Sequence, residues 1–228
     1  MSSENLLAIL PSSPGGCGSG GGCGSGDGCS VIKDPIEPAV VVPFERRRLD
    51  LSCSTDGRFV RSIDLDVTVE CNLRCTYCFK EKWNEHMEQE VAFDTIIWLL
   101  HASGPVKDVR VNFMGGEPLI RFKLIKELVP FGKRRAAQMG KKIHFGMTTN
   151  GTLVTDEVVA FWRKWGLGFH TSIDGTPEIQ DKNRPTTGGR GSSKLVEQSV
   201  PKILEYRPGT CARSTVTAET AGSLSRVV

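Results

Sequence analysis

The sequence predicts an α/β fold with a parallel sheet that curves into part of a barrel, preceded by a separate N-terminal tail. From about residue 60 onward, short β-branched segments alternate with longer segments of helical periodicity, and such alternation is typical of βαβ units. The motifs richest in cysteine, glycine and polar residues each follow a predicted strand. That position is where parallel α/β barrels place their active sites.

The predicted elements follow one another as βα units. Strands are predicted over residues 63–69, 109–114, 142–148, 169–173 and 211–217, and helices over 93–101, 122–139, 155–166 and 193–206, with a last helix from Ala218. Thr155, followed by two acidic residues, has the composition of a helix N-cap and first turn. The helix over 122–139 is predicted to break near Pro130 and Gly132, because proline removes a backbone donor.

Composition and charge are those of an ordinary globular protein. Of the 228 residues, 39% are hydrophobic and 24% are charged, and the net charge of +3 is too small to argue for a nucleic-acid partner. The longest apolar runs are far shorter than a bilayer span, and the N-terminus lacks the basic flank of a signal peptide. These features predict a cytoplasmic protein with reduced thiols, without membrane association and without a nucleic-acid partner.

Three regions are predicted: a disordered tail over residues 1–37, a lead-in segment over 38–60 and the main domain over 61–228. The tail is rich in glycine and serine and carries Cys17, Cys23 and Cys29 at six-residue spacing. Glycine at this density cannot recover its ordering entropy by burial. The three cysteines are interpreted as incidental, as an auxiliary metal- or persulfide-handling arm, or as part of a fused substrate-like sequence.

The most informative motif lies directly after the first predicted strand. Cys71, Cys75 and Cys78 form a C-x3-C-x2-C run. Three thiolates can hold three irons of a four-iron cluster while the fourth iron stays open to a ligand. A zinc site is the alternative and needs a fourth ligand; His86 is the only nearby candidate, and its spacing matches no common zinc pattern. The run therefore favours an iron–sulfur cluster with one open position.

Four motifs, in this order, resemble those of the radical S-adenosylmethionine (radical SAM) enzymes. They are the cysteine run with Tyr77 before its last cysteine, Gly115-Gly116-Glu117-Pro118, Thr148-Thr149-Asn150-Gly151-Thr152-Leu153, and Ser172-Ile173-Asp174-Gly175 followed by Asp181 and Arg184. The last motif is similar to that of the peptide-modifying branch, which includes anaerobic sulfatase maturases and ribosomal-peptide maturases with a SPASM domain. The resemblance covers roughly residues 60–220. The chain departs from it at Gln180, where the family motif has a histidine.

This resemblance implies a partial (β/α)6 TIM-like barrel of the radical SAM type, incomplete at the C-terminus before its sixth strand. It implies a [4Fe–4S] cluster on Cys71, Cys75 and Cys78, and S-adenosylmethionine as the second cofactor. The residues that the resemblance assigns to S-adenosylmethionine are Tyr77, Gly116, Glu117, Ser172 and Arg184. No residue of the chain is assigned as a catalytic acid or base.

The function that the resemblance implies is reductive cleavage of S-adenosylmethionine at the cluster, to modify a side chain of a peptide or protein. The partners would be that substrate and an electron donor such as a flavodoxin or ferredoxin. No cysteine follows Cys211, and no sixth strand is predicted. A second hypothesis is therefore a truncated fragment that binds the cluster and S-adenosylmethionine without turnover, and a third is a zinc-binding module.

Overall fold

The structure is a computed structural model that describes residues 59–81 and 83–223. The predictions for the tail over residues 1–37, including its three cysteines, lie outside the described residues. Those for the lead-in segment lie outside them as well, apart from residues 59 and 60.

In the part of the chain that the structure describes, five parallel strands form one sheet, and each strand pairs with the next in the sequence. They are β1 (Ser62–Thr68), β2 (Asp108–Gly115), β3 (Lys142–Thr149), β4 (Gly168–Ser172) and β5 (Ala212–Arg213). Consecutive parallel neighbours joined by helices are the arrangement of an α/β barrel. The carboxyl ends of all five strands therefore lie along one edge, and the predicted motifs follow the strands there.

Within residues 59–81 and 83–223, five α-helices connect or follow the strands. They are α1 (Gln89–Ala102), α2 (Phe122–Gln138), α3 (Asp156–Trp165), α4 (Pro177–Asn183) and α5 (Ser193–Tyr206). Thr155 caps α3 as predicted, because its side chain accepts a hydrogen bond from the backbone N–H of Val158, and Gly166 ends the helix with a φ of 65°. α4 is not predicted from the sequence, because seven residues are too few to show helical periodicity.

The strands bury one face and expose the other. In β1, β2 and β3 buried and exposed side chains alternate, as expected for a sheet with one face against helices. The buried face forms one apolar core with the helices, in which Phe113 and Phe145 stack with 5.6 Å between their ring centroids. The opposite face is polar; Asn112 donates a hydrogen bond to Asp64 across it at 3.2 Å.

The predicted break in α2 is wrong. The helix continues through Pro130, since its burial of Leu128 and Val129 outweighs the single backbone hydrogen bond that proline removes. Gly132 serves packing instead of ending the helix. A Cβ at that position would lie 2.6 Å from Cζ of Phe145 on β3, so glycine allows α2 to approach the sheet closely.

The C-terminal elements are shorter than predicted. β5 has two residues, whereas the sequence predicts a strand over 211–217. The backbone N–H of Thr215 donates to the carboxylate of Asp174 at 3.1 Å instead of extending the ladder. The helix predicted from Ala218 is, as far as residue 223, a 3-10 turn over Ala221–Ser223.

Among the described helices, none combines the length and the apolar composition needed to cross a membrane.

Candidate cofactor site at the carboxyl ends of the strands

The three cysteines of the run lie on one loop directly after β1. Cys71 is buried, Cys75 is half-buried and Cys78 is exposed. The Sγ atom of Cys71 accepts a hydrogen bond from the backbone N–H of Leu73 at 3.4 Å. The backbone N–H of Cys78 donates to the carbonyl of Cys75 at 3.1 Å, so the last turn of the loop is closed. The exposure of the three cysteines thus increases along the loop, from Cys71 to Cys78.

The last residue of α4 and the segment that follows it hold the cysteine loop in place. The backbone N–H of Arg74 donates to the carbonyl of Pro185 at 2.7 Å, and that of Thr76 donates to the carbonyl of Asn183 at 2.9 Å. These are strand-like backbone contacts between segments more than 100 residues apart in sequence. Arg184 is therefore placed beside the cysteines by the backbone of its own neighbours.

The paired glycines after β2 allow a close approach to the end of β1. Gly115 has a φ of 124°, which favours glycine. A Cβ on Gly116 would lie 2.0 Å from the carbonyl oxygen of Glu70, which directly precedes Cys71. The backbone N–H of Gly116 donates to the carbonyl of Thr68 at 2.8 Å. The glycines are thus needed for contact with the cysteine loop, whatever else they bind.

Glu117 is fully buried and links two motifs. One carboxylate oxygen accepts hydrogen bonds from the N–H of Leu119 at 3.1 Å and from the hydroxyl of Thr149 at 2.8 Å, and the other accepts from the N–H of Asn150 at 2.7 Å. Burial raises the pKa of Glu117 to about 7, although the three donors oppose the shift. Its carboxylate is therefore bonded within the chain, and its predicted contact with S-adenosylmethionine stays a prediction.

The turn after β3 reaches the cysteine loop through Asn150. Its amide Nδ2 donates to Oδ1 of Asn72 at 2.9 Å and lies 3.9 Å from Sγ of Cys71. Its Oδ1 accepts hydrogen bonds from both the N–H and the hydroxyl of Thr152, at 3.0 and 2.7 Å. The third motif is thus in direct contact with the first.

Asp174 lies at the centre of the remaining predicted residues. Its carboxylate accepts hydrogen bonds from the Tyr77 hydroxyl at 2.5 Å, Asn183 Nδ2 at 3.3 Å, Arg184 Nη2 at 3.0 Å and the N–H of Thr215 at 3.1 Å. The Arg184 guanidinium also lies over the Tyr77 ring, 5.4 Å from its centroid. The fourth motif therefore contacts Tyr77 of the first motif through both a hydrogen bond and a cation–π contact.

Hydrogen bonds and opposite charges keep Asp174 and Arg184 ionised as a pair, against the effect of burial. Burial alone would raise the pKa of Asp174, but the hydrogen bonds from Arg184 and Tyr77 lower it overall. Burial raises the pKa of Tyr77, and the bond to Asp174 adds to this effect, so the phenol stays protonated. Burial opposes the charge of Arg184, but its bond to Asp174 and the nearby Tyr77 and Cys75 raise its pKa overall.

Gln180 performs a local structural role at the position where the chain departs from the family motif. Its Oε1 accepts a hydrogen bond from the backbone N–H of Asp174 at 2.9 Å, and its Nε2 donates to Ser192 Oγ at 3.0 Å. Ser172 lies at the end of β4, two residues before Asp174. Within residues 59–81 and 83–223, its hydroxyl makes no hydrogen bond to another predicted site residue, so its assignment stays a prediction.

The described residues do not assemble a site for a single zinc ion. In that part of the chain no three side chains of the metal-binding types converge on one ion. Both ring nitrogens of His86 have partners other than the cysteines. Its Nδ1 lies 2.8 Å from the hydroxyl of Thr68, and its Nε2 lies 3.5 Å from the Glu70 carboxylate. A four-iron cluster does not require such convergence, because each thiolate binds a different iron.

The donor set fits an iron–sulfur cluster. Thiolates are soft ligands of the kind such clusters use. N–H groups directed at the Cys71 sulfur stabilise its thiolate form, and the Arg184 guanidinium lies close enough to interact electrostatically with Cys75.

Comparison with known proteins decides the family. The sequence profile of the radical SAM superfamily matches residues 65–219. The chain belongs to the radical SAM superfamily. Members use a [4Fe–4S] cluster and S-adenosylmethionine (AdoMet), which are the cofactors predicted here. The predicted fold class is also confirmed: the AdoMet-bound structure of native anSMEcpe superposes with a TM-score of 0.66 at 25% identity, covering 74% of this chain and 47% of that one.

Curated relatives have several activities. A cysteine-type anaerobic sulfatase-maturating enzyme of Clostridium novyi is 27% identical over 145 residues, which are 60% of this chain and 38% of that protein. A GTP 3',8-cyclase of Corynebacterium glutamicum is 34% identical over 114 residues, which are 49% of this chain and 30% of that protein. A further structure of native anSMEcpe, 26% identical, holds both AdoMet and a peptide. The chain spans less than half of each of these proteins.

The sequence motifs do not identify Asp174 as the centre of the site, and they assign no role to Asn72 or Asn183. The signal for Asp174 is present in the sequence, because an aspartate directly after a buried strand is an unusual place for an unpaired charge. Asn72 and Asn183 carry no comparable signal, since their partners are 78 and 9 residues away and depend on the fold.

Proposed function

We propose that this chain is the core of a radical SAM enzyme that modifies a side chain of a peptide or protein. The observation that supports the proposal is the convergence of the other three motifs on the cysteine loop. Glu70 contacts the Gly115–Pro118 segment, Asn72 contacts Asn150, and Tyr77 contacts Asp174. A loop held from three sides can keep three thiolates in a fixed arrangement.

Cys71, Cys75 and Cys78 would hold the cluster, and Tyr77, Gly116, Glu117, Ser172 and Arg184 would form the AdoMet site. The chemistry that the bound cofactors supply is one-electron cleavage of the sulfonium bond of AdoMet. The residues of the chain bind and orient the cofactors and limit the access of water. Arg184, with its side chain 8% exposed, is suited to fix a carboxylate, since its guanidinium is charged at all working pH values.

The cysteine assignment is tested by iron content. After anaerobic reconstitution we expect about four irons per chain, and we expect Cys71→Ala, Cys75→Ala and Cys78→Ala each to lose most of them. Cys211→Ala is the matched control, because Cys211 is an exposed cysteine outside the loop, and it should retain the iron of the wild type. Iron content that survives all three loop substitutions would contradict the assignment.

A peptide substrate is supported by the Ser172–Gly175 motif and by the resemblance to sulfatase-maturating enzymes and to the peptide-bound anSMEcpe structure. The test is incubation of the reconstituted protein with AdoMet, a reductant such as reduced flavodoxin or ferredoxin, and peptides that contain cysteine or serine. Mass spectrometry should detect a modified peptide, and the amount of 5′-deoxyadenosine should rise together with the amount of that product.

A purine nucleotide is a second candidate substrate, favoured by the 34% identity to a GTP 3',8-cyclase. The same reaction with GTP in place of peptide distinguishes the two. Consumption of GTP without peptide modification would favour the nucleotide, and the converse would favour the peptide.

A further inference from the structure

Two N–H groups approach the same sulfur of the cysteine loop, that of Cys71. Sγ of Cys71 accepts the backbone N–H of Leu73 at 3.4 Å, and Nδ2 of Asn150 lies 3.9 Å from it. Both contacts are buried. Cys71 is also the buried cysteine of the run, so its sulfur lies where water cannot replace a lost donor.

The orientation of the Asn150 amide is set by the chain. Its Oδ1 accepts the backbone N–H of Thr152, which can only donate, so Nδ2 must point the opposite way. Three side chains then close a ring of hydrogen bonds. Asn72 Nδ2 donates to Thr152 Oγ1 at 2.8 Å, Thr152 Oγ1 donates to Asn150 Oδ1 at 2.7 Å, and Asn150 Nδ2 donates to Asn72 Oδ1 at 2.9 Å.

This ring uses one of the two protons on Nδ2 of Asn150. The second proton remains for the sulfur of Cys71. The N–H of Asn150 is in turn anchored by the carboxylate of Glu117 at 2.7 Å. The amide is thus held at both its backbone and its side chain, which is how a donor is kept in place beside a ligand.

We propose that Asn150 is a positioning residue that tunes the cluster, by donating a hydrogen bond from Nδ2 to the sulfur of Cys71. This inference rests on the proposed cluster assignment. Hydrogen bonds to cluster sulfurs are among the factors that set the reduction potential. A donor stabilises the more negative, reduced cluster more than the oxidised one, so the contact raises the reduction potential.

The experiment is a redox titration of the reconstituted full chain, followed by electron paramagnetic resonance of the reduced cluster. Asn150→Ala and Asn150→Leu both remove the donor without adding a charge, and Asn150→Leu keeps the approximate size of the side chain. Each is expected to lower the reduction potential of the cluster. The equilibrium constant for its one-electron reduction should fall by about threefold to tenfold, and a tenfold fall corresponds to about 59 mV. Thr152→Ser keeps the hydroxyl of the ring and should have the wild-type potential.

Iron content, measured on the same samples, separates tuning from simple loss of the site. If Asn150→Ala binds no iron, Asn150→Leu decides the question. A lowered potential in iron-replete Asn150→Ala or Asn150→Leu supports the proposal. The wild-type potential in either iron-replete variant, or loss of iron from both, overturns it. A wild-type chain without a cluster would instead overturn the cluster assignment itself, so the two failures are distinguishable.

Discussion

Asp174 and Glu117 are both fully buried, and each joins motifs that are far apart in sequence. Asp174 bonds to Tyr77 across 97 residues, and Glu117 bonds to Asn150 across 33. The cysteines themselves could be predicted from the sequence, because their spacing is local. The bonds that hold them could not, because a pattern of residues does not show which loops meet at the edge of a sheet.

Removal of the Asp174 charge should destabilise the fold. Asp174→Asn keeps the shape and one acceptor oxygen, but it leaves the buried Arg184 guanidinium without a counter-charge. Breaking a buried ion pair in this way costs about 3–5 kcal/mol, so the urea midpoint of the cluster-free chain should fall. Asp156→Asn is the control, because its partner Lys202 is at the surface and exposed pairs contribute little. Equal stability of both variants would contradict the central role of Asp174.

Glu117 should make the stability of the fold depend on pH. Its pKa is raised from 4.5 to about 7 in the folded chain, so between these pH values the folded chain keeps a proton that the unfolded chain has lost. The free energy of unfolding should therefore fall as pH rises from about 4.5 to 7, by about 3 kcal/mol at 1.36 kcal/mol per pH unit. Urea denaturation at several pH values measures this slope.

Glu117→Gln is the matched variant for that slope. It cannot titrate, so its stability curve should lack the decline that Glu117 contributes. The glutamine nitrogen must face an N–H donor of Leu119 or Asn150, which costs about 1–3 kcal/mol. Parallel pH curves for the wild type and Glu117→Gln would show that Glu117 does not titrate in this window.

At the scale of elements, the order and type of strands and helices follow from periodicity, whereas their ends follow from contacts. The helix predicted over 193–206 is observed over the same residues as α5. The strand predicted over 211–217 is cut short, because Thr215 bonds to Asp174. The break predicted in α2 does not occur, because packing against the sheet outweighs the local effect of Pro130. Local propensity fails where a tertiary contact competes with it.

The contact between the ends of β1 and β2 should be sensitive to a single methyl group. In Gly116→Ala the new Cβ would lie 2.0 Å from the Glu70 carbonyl, so the two strand ends must separate beside Cys71. We expect a loss of about 3 kcal/mol in the cluster-free chain, as for a severe overpacking, and reduced iron uptake. Measuring the cluster-free chain keeps this effect apart from the predicted role of Gly116 in AdoMet binding.

Gly188→Ala is the control for Gly116→Ala. A Cβ on Gly188 meets nothing within 4 Å, so this variant should unfold at the urea concentration of the wild type. If Gly116→Ala is as stable as Gly188→Ala, the close approach of the two strands is not required.

At the scale of the whole molecule, the site is assembled from the ends of four strands. The cysteine loop follows β1, the paired glycines follow β2, Asn150 follows β3 and Asp174 follows β4. A ligand that contacts several of these segments binds the folded chain and not the unfolded one. Binding energy at the site should therefore appear as stability of the entire domain.

We expect AdoMet to raise the free energy of unfolding of the reconstituted chain, and with it the unfolding temperature. The increase should be about 2.7 kcal/mol at 100 times the dissociation constant and about 1.4 kcal/mol more for each further tenfold in AdoMet concentration. Thermal unfolding under anaerobic conditions at increasing AdoMet concentrations measures the effect. Cys211→Ala should keep the effect, because this exposed cysteine lies outside the loop. Cys78→Ala, without a complete cluster, should lose most of it, since the open iron that would hold AdoMet is gone. An equal AdoMet effect in both variants would place AdoMet binding apart from the cysteine loop.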